Sequence, residues 1–365
     1  MSRATVATIH LGALRRNLAR VRARVRDAKI MAVIKADGYG HGLERVARAL
    51  ADADAFGVAA LGDGLRLRAA GIAKRIVVLS GPDEAADLAE FRRLQLDAVI
   101  HHDSQLAWLE ADHDPRLLRI WLKLDTGMHR LGFADERARA LHARLRTFAN
   151  IDADIALMTH FAASDEFDNV LTANQITAFE AATRDLAGVR ALANSAGVLG
   201  WPGACSGDSS RYWVRVGGLL YGLSVIAGKS GADLGFEPAM TLSAKVIAIN
   251  RVHKGERIGY AASYACPEDM DIGVAAIGYG DGYPRSAPSG TPVLVNGVRA
   301  AIVGRVSMDL ITIDLRDVPD AKVGDRVVLW GNGLPVEQVA ARAGTISYDL
   351  TCGMTKRVLF VEDES

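Results

Sequence analysis

The spacing of apolar residues divides the chain into two parts. From Ile30 to about Gly222, short apolar runs alternate with longer segments in which apolar residues recur at helical spacing. Short, unbroken apolar runs bounded by turn-forming residues are typical of strands buried on both faces of a parallel sheet. The runs that predict strands are Ile30–Ile34, Phe56–Ala60, Ile76–Leu79, Ala98–Ile100, Ile120–Leu124, Ile155–Met158, Arg190–Ala193 and Trp213–Val216.

The segments between these strands predict helices. Eight strands with intervening helices, over roughly 200 residues, are what a (β/α)8 TIM-like barrel requires. On pattern alone, an open doubly wound sheet is the alternative. The clearest helix candidates are Leu43–Ala53, Ala85–Leu94, Ala134–Phe148 and Asn174–Leu186.

Near Phe236-Glu237-Pro238 the pattern changes to closely spaced strands, with Val336–Ala343 as the clear helix candidate. Asn296-Gly297 is a strong signal for a two-residue hairpin. The strand-like segments are Met240–Asn250, Arg257–Ile258, Ile272–Ile277, Pro292–Val295, Ala300–Val306, Leu310–Asp314 and Arg326–Trp330. We therefore predict a barrel domain over residues 1–235 and a smaller, mainly β C-terminal domain over residues 236–365.

Composition and charge narrow the classes of function. The 365 residues include 43 basic and 43 acidic side chains, so no net field favours nucleic acid or a membrane surface as a partner. The arginine-rich stretch from Arg15 to Arg26 carries apolar residues at helical spacing and indicates an amphipathic helix. The three cysteines show no ligand spacing, and neither the N-terminus nor the charge-free stretch Val216–Gly228 resembles a signal peptide or a membrane span. We expect a cytoplasmic protein without a metal site.

One lysine ends the first predicted strand. The segment Ile30–Gly42 reads IMAVIKADGYGHG, so Lys35 stands where a buried strand leaves the sheet and a glycine-rich turn begins. Because an unpaired buried ammonium is costly, this position favours a lysine that is used chemically, for example in a Schiff base. The alternative is a lysine that reaches out to solvent.

Polar residues also follow other predicted strands, at the end where barrels place their catalytic groups. They are Lys123 and Asp125 at the end of the fifth strand with Arg130 after it, His160 after the sixth, Asn194 and Ser195 after the seventh, and Arg215, Gly217 and Gly218 at the eighth. The basic groups suit an anionic ligand, and the glycine pair suits a phosphate held by backbone N–H groups. A lysine opposite a phosphate site indicates pyridoxal phosphate. Taken singly, His160 also fits a core histidine, the glycine pair a turn, and Lys123 with Asp125 an exposed ion pair.

These segments closely resemble the signatures of alanine racemases. AVIKADGYGHG at Ala32–Gly42 resembles the family's cofactor-lysine signature, and the resemblance extends over essentially the whole chain. It implies a pyridoxal-phosphate enzyme that works as a two-fold, head-to-tail homodimer. The other matching segments are KLDTGMHRLG at Lys123–Gly132, THFA at Thr159–Ala162, ANSAG at Ala193–Gly197, VRVGGLLYGL at Val214–Leu223, GYAASY at Gly259–Tyr264, IGYGDGYPR at Ile277–Arg285, GRVSMD at Gly304–Asp309 and SYDLTC at Ser347–Cys352.

The resemblance implies two bases on opposite faces of the substrate α-carbon, as racemisation requires. Lys35 resembles the lysine that bonds covalently to the cofactor and then serves as one base. Tyr260, the first tyrosine of GYAASY, resembles the second base, which family members contribute from the partner subunit. Arg215 resembles the arginine that faces the pyridine nitrogen, and His160 the histidine that hydrogen-bonds it. A guanidinium cannot accept the proton of that nitrogen, so the ring is a weaker electron sink than one facing a carboxylate.

The remaining implied roles concern binding. Arg130 resembles the arginine that reaches the substrate carboxylate, which the Met308 backbone N–H also contacts, and Lys123 matches a lysine that is carbamylated in many members. The chain departs from the family pattern at two positions: Gly218 stands where a branched residue is common, and Ser307 where a cysteine is common. Neither departure puts an implied role in doubt, because the contact at Gly218 is made by the backbone N–H and the side chain at Ser307 has no implied catalytic role. Tyr39, Asn194, Ser195, Gly217, Gly218 and Tyr348 resemble cofactor-binding residues, and Asp165, Tyr264, Tyr279, Arg285 and Arg305 resemble residues of the substrate entrance.

The resemblance therefore predicts a racemase that interconverts L- and D-alanine and supplies D-alanine for peptidoglycan. Since discrimination against one extra methylene by pocket size is worth only ~1–3 kcal/mol, serine or a broader range of amino acids is an alternative. A decarboxylase of the related barrel-plus-β group would place a carboxylate where Arg215 stands. A non-catalytic carrier of the cofactor would need neither Tyr260 nor Met308.

Overall fold

The chain folds into a parallel barrel followed by a domain rich in antiparallel strands. The computed structural model describes residues 5–205 and 211–365. Eight of the strands in this part of the chain pair in parallel around a closed ring, because Tyr212–Val216 pairs with Lys29–Val33. The barrel strands are Lys29–Val33, Ala55–Val58, Ile76–Val78, Leu96–Ile100, Ile120–Asp125, Ala156–Met158, Arg190–Ala191 and Tyr212–Val216. The predicted (β/α)8 barrel is confirmed, and each strand lies within a few residues of its predicted position.

Helices connect the strands on the outside of the barrel. The first helix, Leu11–Val25, buries its leucines and valines and exposes several of its arginines, as an amphipathic helix should. The other helices of this half are Leu43–Ala49, Leu61–Ala69, Asp87–Arg93, Asp103–Ala111, Ala138–Leu145, Val170–Thr183 and Ser195–Gly200. A short strand, Phe133–Ala134, pairs with the end of Ile120–Asp125. No helix within the described ranges is long and apolar enough to cross a bilayer.

The barrel interior is filled by side chains and is not open along its axis. Trp121 and Trp213 meet edge to face inside it, with ring centroids 5.6 Å apart, and smaller apolar residues from the other strands surround them. Asp97 is also fully buried here and accepts hydrogen bonds from Trp121 Nε1 at 2.9 Å and Arg119 Nε at 2.8 Å. A plugged interior leaves the carboxyl ends of the strands as the place where a ligand can enter.

The second domain is built around one long strand. Met240–Val252 pairs with Arg326–Trp330 along its first half and with Met270–Ala275 along its second half, which curls the sheet on itself. The further strands are Pro292–Val295, Val298–Val303 and Ile311–Asp314, with the small pair Arg257–Ile258 and Tyr264–Ala265 beside them; the helices are Val336–Ala343 and Ser347–Cys352. The predicted mainly β domain is confirmed.

The hairpin predicted at Asn296-Gly297 is confirmed. Val295 pairs directly with Val298, so these two residues form the whole turn. Both have positive φ, 49° for Asn296 and 83° for Gly297, which is the conformation that matches the twist of a hairpin.

Two strands of the second sheet were not predicted from the pattern. Val6–His10 pairs with Met240–Ser243 on one side and with Leu359–Asp363 on the other, so the first and the last described strands are neighbours in the same sheet. His10 joins the three strands, with Nδ1 2.9 Å from the Asp363 carboxylate and Nε2 2.8 Å from the Thr241 hydroxyl. The domain boundary at residue 235 stays a prediction, but the first strand lies in the sheet of the second domain.

Candidate active site

The carboxyl ends of the barrel strands open into a cavity of about 1010 Å³. Among the residues that the structure describes, five basic side chains line it, Lys35, Lys123, Arg130, Arg215 and Lys229, against two acidic ones, Asp165 and Glu337. A cavity with this excess of positive charge suits an anionic ligand. The predicted site residues that the structure brings together here are Lys35, Tyr39, Lys123, Arg130, His160, Asp165, Asn194, Ser195, Arg215, Gly217, Gly218 and Tyr348.

The backbone after Lys35 forms a left-handed turn. Ala36, Asp37, Gly38 and Tyr39 all have φ between 53° and 64°, a conformation that is costly for residues other than glycine. The Asp37 carboxylate compensates by accepting from the Leu43 backbone N–H at 3.2 Å and from Arg66 at 2.8 Å. The turn places Lys35 and Tyr39, only four residues apart, in the wall of the same cavity. Partial burial and the nearby Arg130 charge lower the pKa of the Lys35 amine.

Two tyrosines and two glycines form a narrow cradle on one side of the cavity. A Cβ at Gly217 would lie 2.3 Å from the Tyr39 hydroxyl, and one at Gly218 would lie 2.3 Å from the Tyr348 hydroxyl. Both hydroxyls therefore approach the backbone at a distance that only glycine permits. The Ser195 hydroxyl accepts from the Gly217 backbone N–H at 3.0 Å. Hydroxyl and backbone N–H donors around a small space are the groups that bind phosphate oxygens.

The Arg215 guanidinium lies at the floor of the cavity and is only 5% exposed. Nη2 donates to the carbonyl oxygens of Thr159 at 2.5 Å and Leu192 at 3.1 Å, and Nη1 donates to that of Ala191. Burial lowers the pKa of Arg215 to about 10, so the side chain stays charged at neutral pH. Its hydrogen bonds among the described residues are to uncharged acceptors.

His160 is a further hydrogen-bond partner of this guanidinium. Its Nδ1 lies 3.2 Å from Arg215 Nη2. Burial, followed by the charges of Arg215, Lys123 and Arg130, holds the pKa of His160 well below its usual range. The imidazole is therefore neutral, with Nδ1 accepting from Arg215 and the proton on Nε2. A fixed neutral histidine orients the arginine without adding charge.

Lys123 is a nearly buried amine among other cations. It is 9% exposed, and burial, followed by the charges of Arg215, Arg130 and Lys35, lowers its pKa to about 8. A sizeable neutral fraction is therefore present near physiological pH. After Lys123 the chain turns at Asp125, whose carboxylate accepts the backbone N–H groups of residues 127–129 at 3.0 Å each. That turn carries Arg130 back to the cavity.

A second set of predicted residues lies outside this cavity, on the second domain. Tyr260 is 69% exposed and Met308 is 52% exposed. Arg285 lies over the Tyr279 ring at 5.9 Å, and the Tyr279 backbone N–H donates to the Ser307 carbonyl. The predicted site residues of the second domain that lie outside the cavity of the same chain are the following: Tyr260, Tyr264, Tyr279, Arg285, Arg305 and Met308.

Sequence reasoning missed several residues around the cavity. Tyr221 stacks on Tyr39 with ring centroids 4.6 Å apart and donates to the Val33 carbonyl at 3.2 Å, which fixes the cradle from behind. Ser164 donates to Asn194 at 2.9 Å, and Glu337 accepts from the Ser224 backbone at 2.6 Å. Tyr221 lies shortly after the glycine pair in the VRVGGLLYGL segment. This closeness in sequence was the signal from which its place beside the cavity could have been predicted.

Comparisons with known proteins give a consistent result. Two family models match the chain: the alanine racemase N-terminal domain over residues 9–225 and the alanine racemase C-terminal domain over residues 239–361. An alanine racemase from Coxiella burnetii is 47% identical over 369 residues, which cover 100% of both chains. An alanine racemase from Shewanella baltica is 48% identical over 352 residues, covering 96% of this chain and 97% of the relative.

The fold is also shared with solved structures. The crystal structure of biosynthetic alanine racemase from Pseudomonas aeruginosa superimposes with a TM-score of 0.93 at 43% sequence identity, and the match covers 99% of each chain.

The cradle geometry predicts the effect of one methyl group. Gly217→Ala should weaken binding of pyridoxal phosphate to the cofactor-free protein about tenfold, because the Tyr39 ring is stacked on Tyr221 and cannot retreat, and overpacking costs ~1–3 kcal/mol. Fluorescence titration measures the affinity. Gly203→Ala is the matched control, since a Cβ there meets nothing within 4 Å. Equal affinities of the two variants would contradict the assignment of the cradle.

Proposed function

This chain belongs to the alanine racemase family, and from that premise we propose that it interconverts L- and D-alanine with pyridoxal phosphate as its cofactor. One observation carries the proposal: a lysine, a glycine–tyrosine cradle and a buried guanidinium line the same cavity. Pyridoxal phosphate presents an aldehyde, a phosphate and a ring nitrogen, and each of these groups would meet one of these three features.

The donor groups of the cavity fit this cofactor. The hydroxyls of Tyr39, Ser195 and Tyr348, with the backbone at Gly217 and Gly218, would hold the phosphate. Lys35 would bond to the aldehyde carbon, and Arg215 would lie against the ring nitrogen. When bound, the cofactor withdraws electrons from the substrate α-carbon and makes its proton easier to remove.

The protein would then move the α-proton between two bases. The lowered pKa of Lys35 favours a neutral amine that can take up the α-proton on one face. The base for the other face would be Tyr260 of the partner subunit, which would return a proton from the opposite side. Arg130 would hold the substrate carboxylate and so fix the α-carbon between the two bases.

The exposed residues of the second domain support a dimer. Tyr260 and Met308 do not line the cavity of their own chain, yet both are large and solvent-exposed in the protomer. A two-fold, head-to-tail homodimer would bring Tyr260 and Met308 of each subunit to the cavity of the other subunit and so complete two sites at once. The entrance residues Tyr264, Tyr279, Arg285 and Arg305 would come from the same surface.

Arg215 would limit side reactions. Its guanidinium, held by carbonyl oxygens and neutral His160, has donors only, so it could not accept the proton of the ring nitrogen and would leave that nitrogen unprotonated. Negative charge developing at the α-carbon would then be delocalised less deeply, which favours prompt return of a proton to that carbon. In the cell, we place the activity in the cytoplasm, where it would supply D-alanine for peptidoglycan.

Lys123 would carry a carbamate. Only a neutral amine attacks carbon dioxide, and a pKa of about 8 provides that form near neutral pH. The resulting anion would be surrounded by Arg130, Arg215 and Lys35, all of which stabilise it. It would orient Arg130 toward the substrate.

The direct test of function follows optical activity and α-deuteration of L-alanine in heavy water with the cofactor-loaded protein. We expect both to proceed together on alanine and more slowly on L-serine. Faster exchange on L-serine would assign the serine alternative. If the protein binds the cofactor but exchanges the α-proton of neither amino acid, the racemase interpretation is wrong and the protein is a carrier of the cofactor.

Shared sites predict complementation between inactive chains. Lys35→Ala and Tyr260→Phe chains should each be nearly inactive alone. Random reassociation of equal amounts makes about half of the dimers heterodimers, and one of the two sites in each heterodimer is intact, so about one quarter of wild-type activity should return. Activity is measured after verifying mixed dimers by mass. Verified heterodimers that stay inactive would contradict sharing across subunits.

The carbamate has a pH dependence with a defined sign. At constant dissolved carbon dioxide, carbamate on Lys123 should be sparse at pH 6 and rise as pH passes the amine pKa of about 8, since the ammonium form is unreactive. Carbon-13 NMR with labelled bicarbonate measures it. Lys123→Met should remove the signal, whereas Lys229→Met, another lysine of the cavity, should keep it. A signal that survives in Lys123→Met would place the carbamate elsewhere.

A further inference from the structure

Two segments of the second domain that carry predicted site residues are joined through their backbones. One is the short 3-10 turn Tyr279–Asp281, and the other is the segment around Met308. The Tyr279 N–H donates to the Ser307 carbonyl at 3.0 Å. The Gly280 N–H donates to the Met308 carbonyl at 2.9 Å. The turn therefore fixes the backbone on which Met308 stands.

The guanidinium of Arg357 bridges the same two segments. Its Nε lies 3.3 Å from the carboxylate of Asp281, at the end of the turn, and its Nη2 pairs with the carboxylate of Asp309, the residue after Met308. Asp281 is fully buried and also accepts the Gly278 N–H at 3.0 Å. Because a buried carboxylate without a partner of opposite charge is costly, Asp281 holds the guanidinium in place.

The guanidinium also packs directly on the backbone of the turn. A Cβ at Gly280 would overlap Arg357 Nη1, so a side chain at this position would push the guanidinium away. The Thr355 hydroxyl, two residues before the arginine, donates to the Gly280 carbonyl at 2.9 Å. The Thr355 N–H donates to the Asp281 carbonyl at 3.2 Å. The strand of contacts from Thr355 to Arg357 thus follows the turn closely.

We propose that Arg357 is a positioning residue for recognition of the substrate carboxylate, acting through Met308. The inference rests on the proposed function, in which Met308 completes the cavity of the other subunit and its backbone N–H contacts that carboxylate. A backbone N–H binds a carboxylate well only when its direction is fixed. Arg357 fixes this direction from behind, since its planar fork serves Asp281 and Asp309 at once, as a single ammonium group cannot.

The test measures carboxylate recognition separately from the proton transfers, in the cofactor-loaded enzyme. Arg357→Met should raise the KM for L-alanine about tenfold, the cost of a misaligned hydrogen bond to a charged group. It should change kcat less than about threefold, because the contact is made in the ground state and the transition state alike. The dissociation constant of propionate, which is alanine without its amino group, should rise by the same factor in calorimetric titration. Arg357→Lys should show most of the same defect.

Two further variants locate the effect. Asp309→Asn removes the ion pair beside Met308 with almost no change of shape, and it should raise both constants in the same way. Combined with Arg357→Met it should add little, because both substitutions break one bridge. Arg251→Met is the matched control: it takes an arginine of the same domain out of an ion pair with Asp271, at 3.2 Å, and should leave both constants unchanged.

The results that would overturn the proposal are distinct from a failure of the proposed function. Wild-type KM and wild-type propionate affinity in Arg357→Met and Asp309→Asn would overturn it, as would a fall in kcat at unchanged KM. An equal rise of both constants in Arg251→Met would also overturn it. A folded wild type that does not racemise alanine would overturn the proposed function itself. If Arg357→Met does not fold, Asp309→Asn alone decides.

Discussion

The site depends on a buried guanidinium whose hydrogen-bond partners, within residues 5–205 and 211–365, include no carboxylate. Arg215 keeps its charge because carbonyl oxygens from two neighbouring strands and one neutral imidazole solvate it in place of water. That arrangement fixes the electrostatics of the whole cavity. After burial, which is the larger cause, its charge lowers the pKa of His160 and of Lys123. It also leaves a positive surplus that a dianionic phosphate and a substrate carboxylate would balance.

The two domains divide the work of the proposed reaction. The barrel supplies rigid strand ends and the strained turn after Lys35, which would hold the cofactor side of the site. The second domain presents Tyr260 and Met308 on an exposed surface, where they would serve a neighbouring subunit. Val6–His10, which immediately precedes the first barrel helix, pairs in the sheet of the second domain, and His10 hydrogen-bonds Asp363 there.

Much of this arrangement was predictable, because strand ends converge in a parallel barrel. Once eight short apolar runs are recognised, residues such as Lys35 and Arg215 must meet at one end, and the glycine pair must lie near them. The pairing of Val6–His10 was not predictable, because it depends on a strand more than 200 residues away in the sequence. The left-handed turn after Lys35 and the carbonyl cage of Arg215 also depend on backbone geometry that residue types do not specify.

The most direct test of the central role of Arg215 compares how turnovers end in the wild type and in Arg215→Glu. A carboxylate at this position would accept a hydrogen bond from the protonated ring nitrogen, keep that nitrogen protonated and so strengthen the electron sink. We predict that racemisation falls on the order of 100-fold, as expected when preorganised charge is removed from a buried site. We also predict that a larger share of turnovers ends in transamination. Wild-type racemisation in Arg215→Glu, with an unchanged share of transamination, would contradict the role assigned to this arginine.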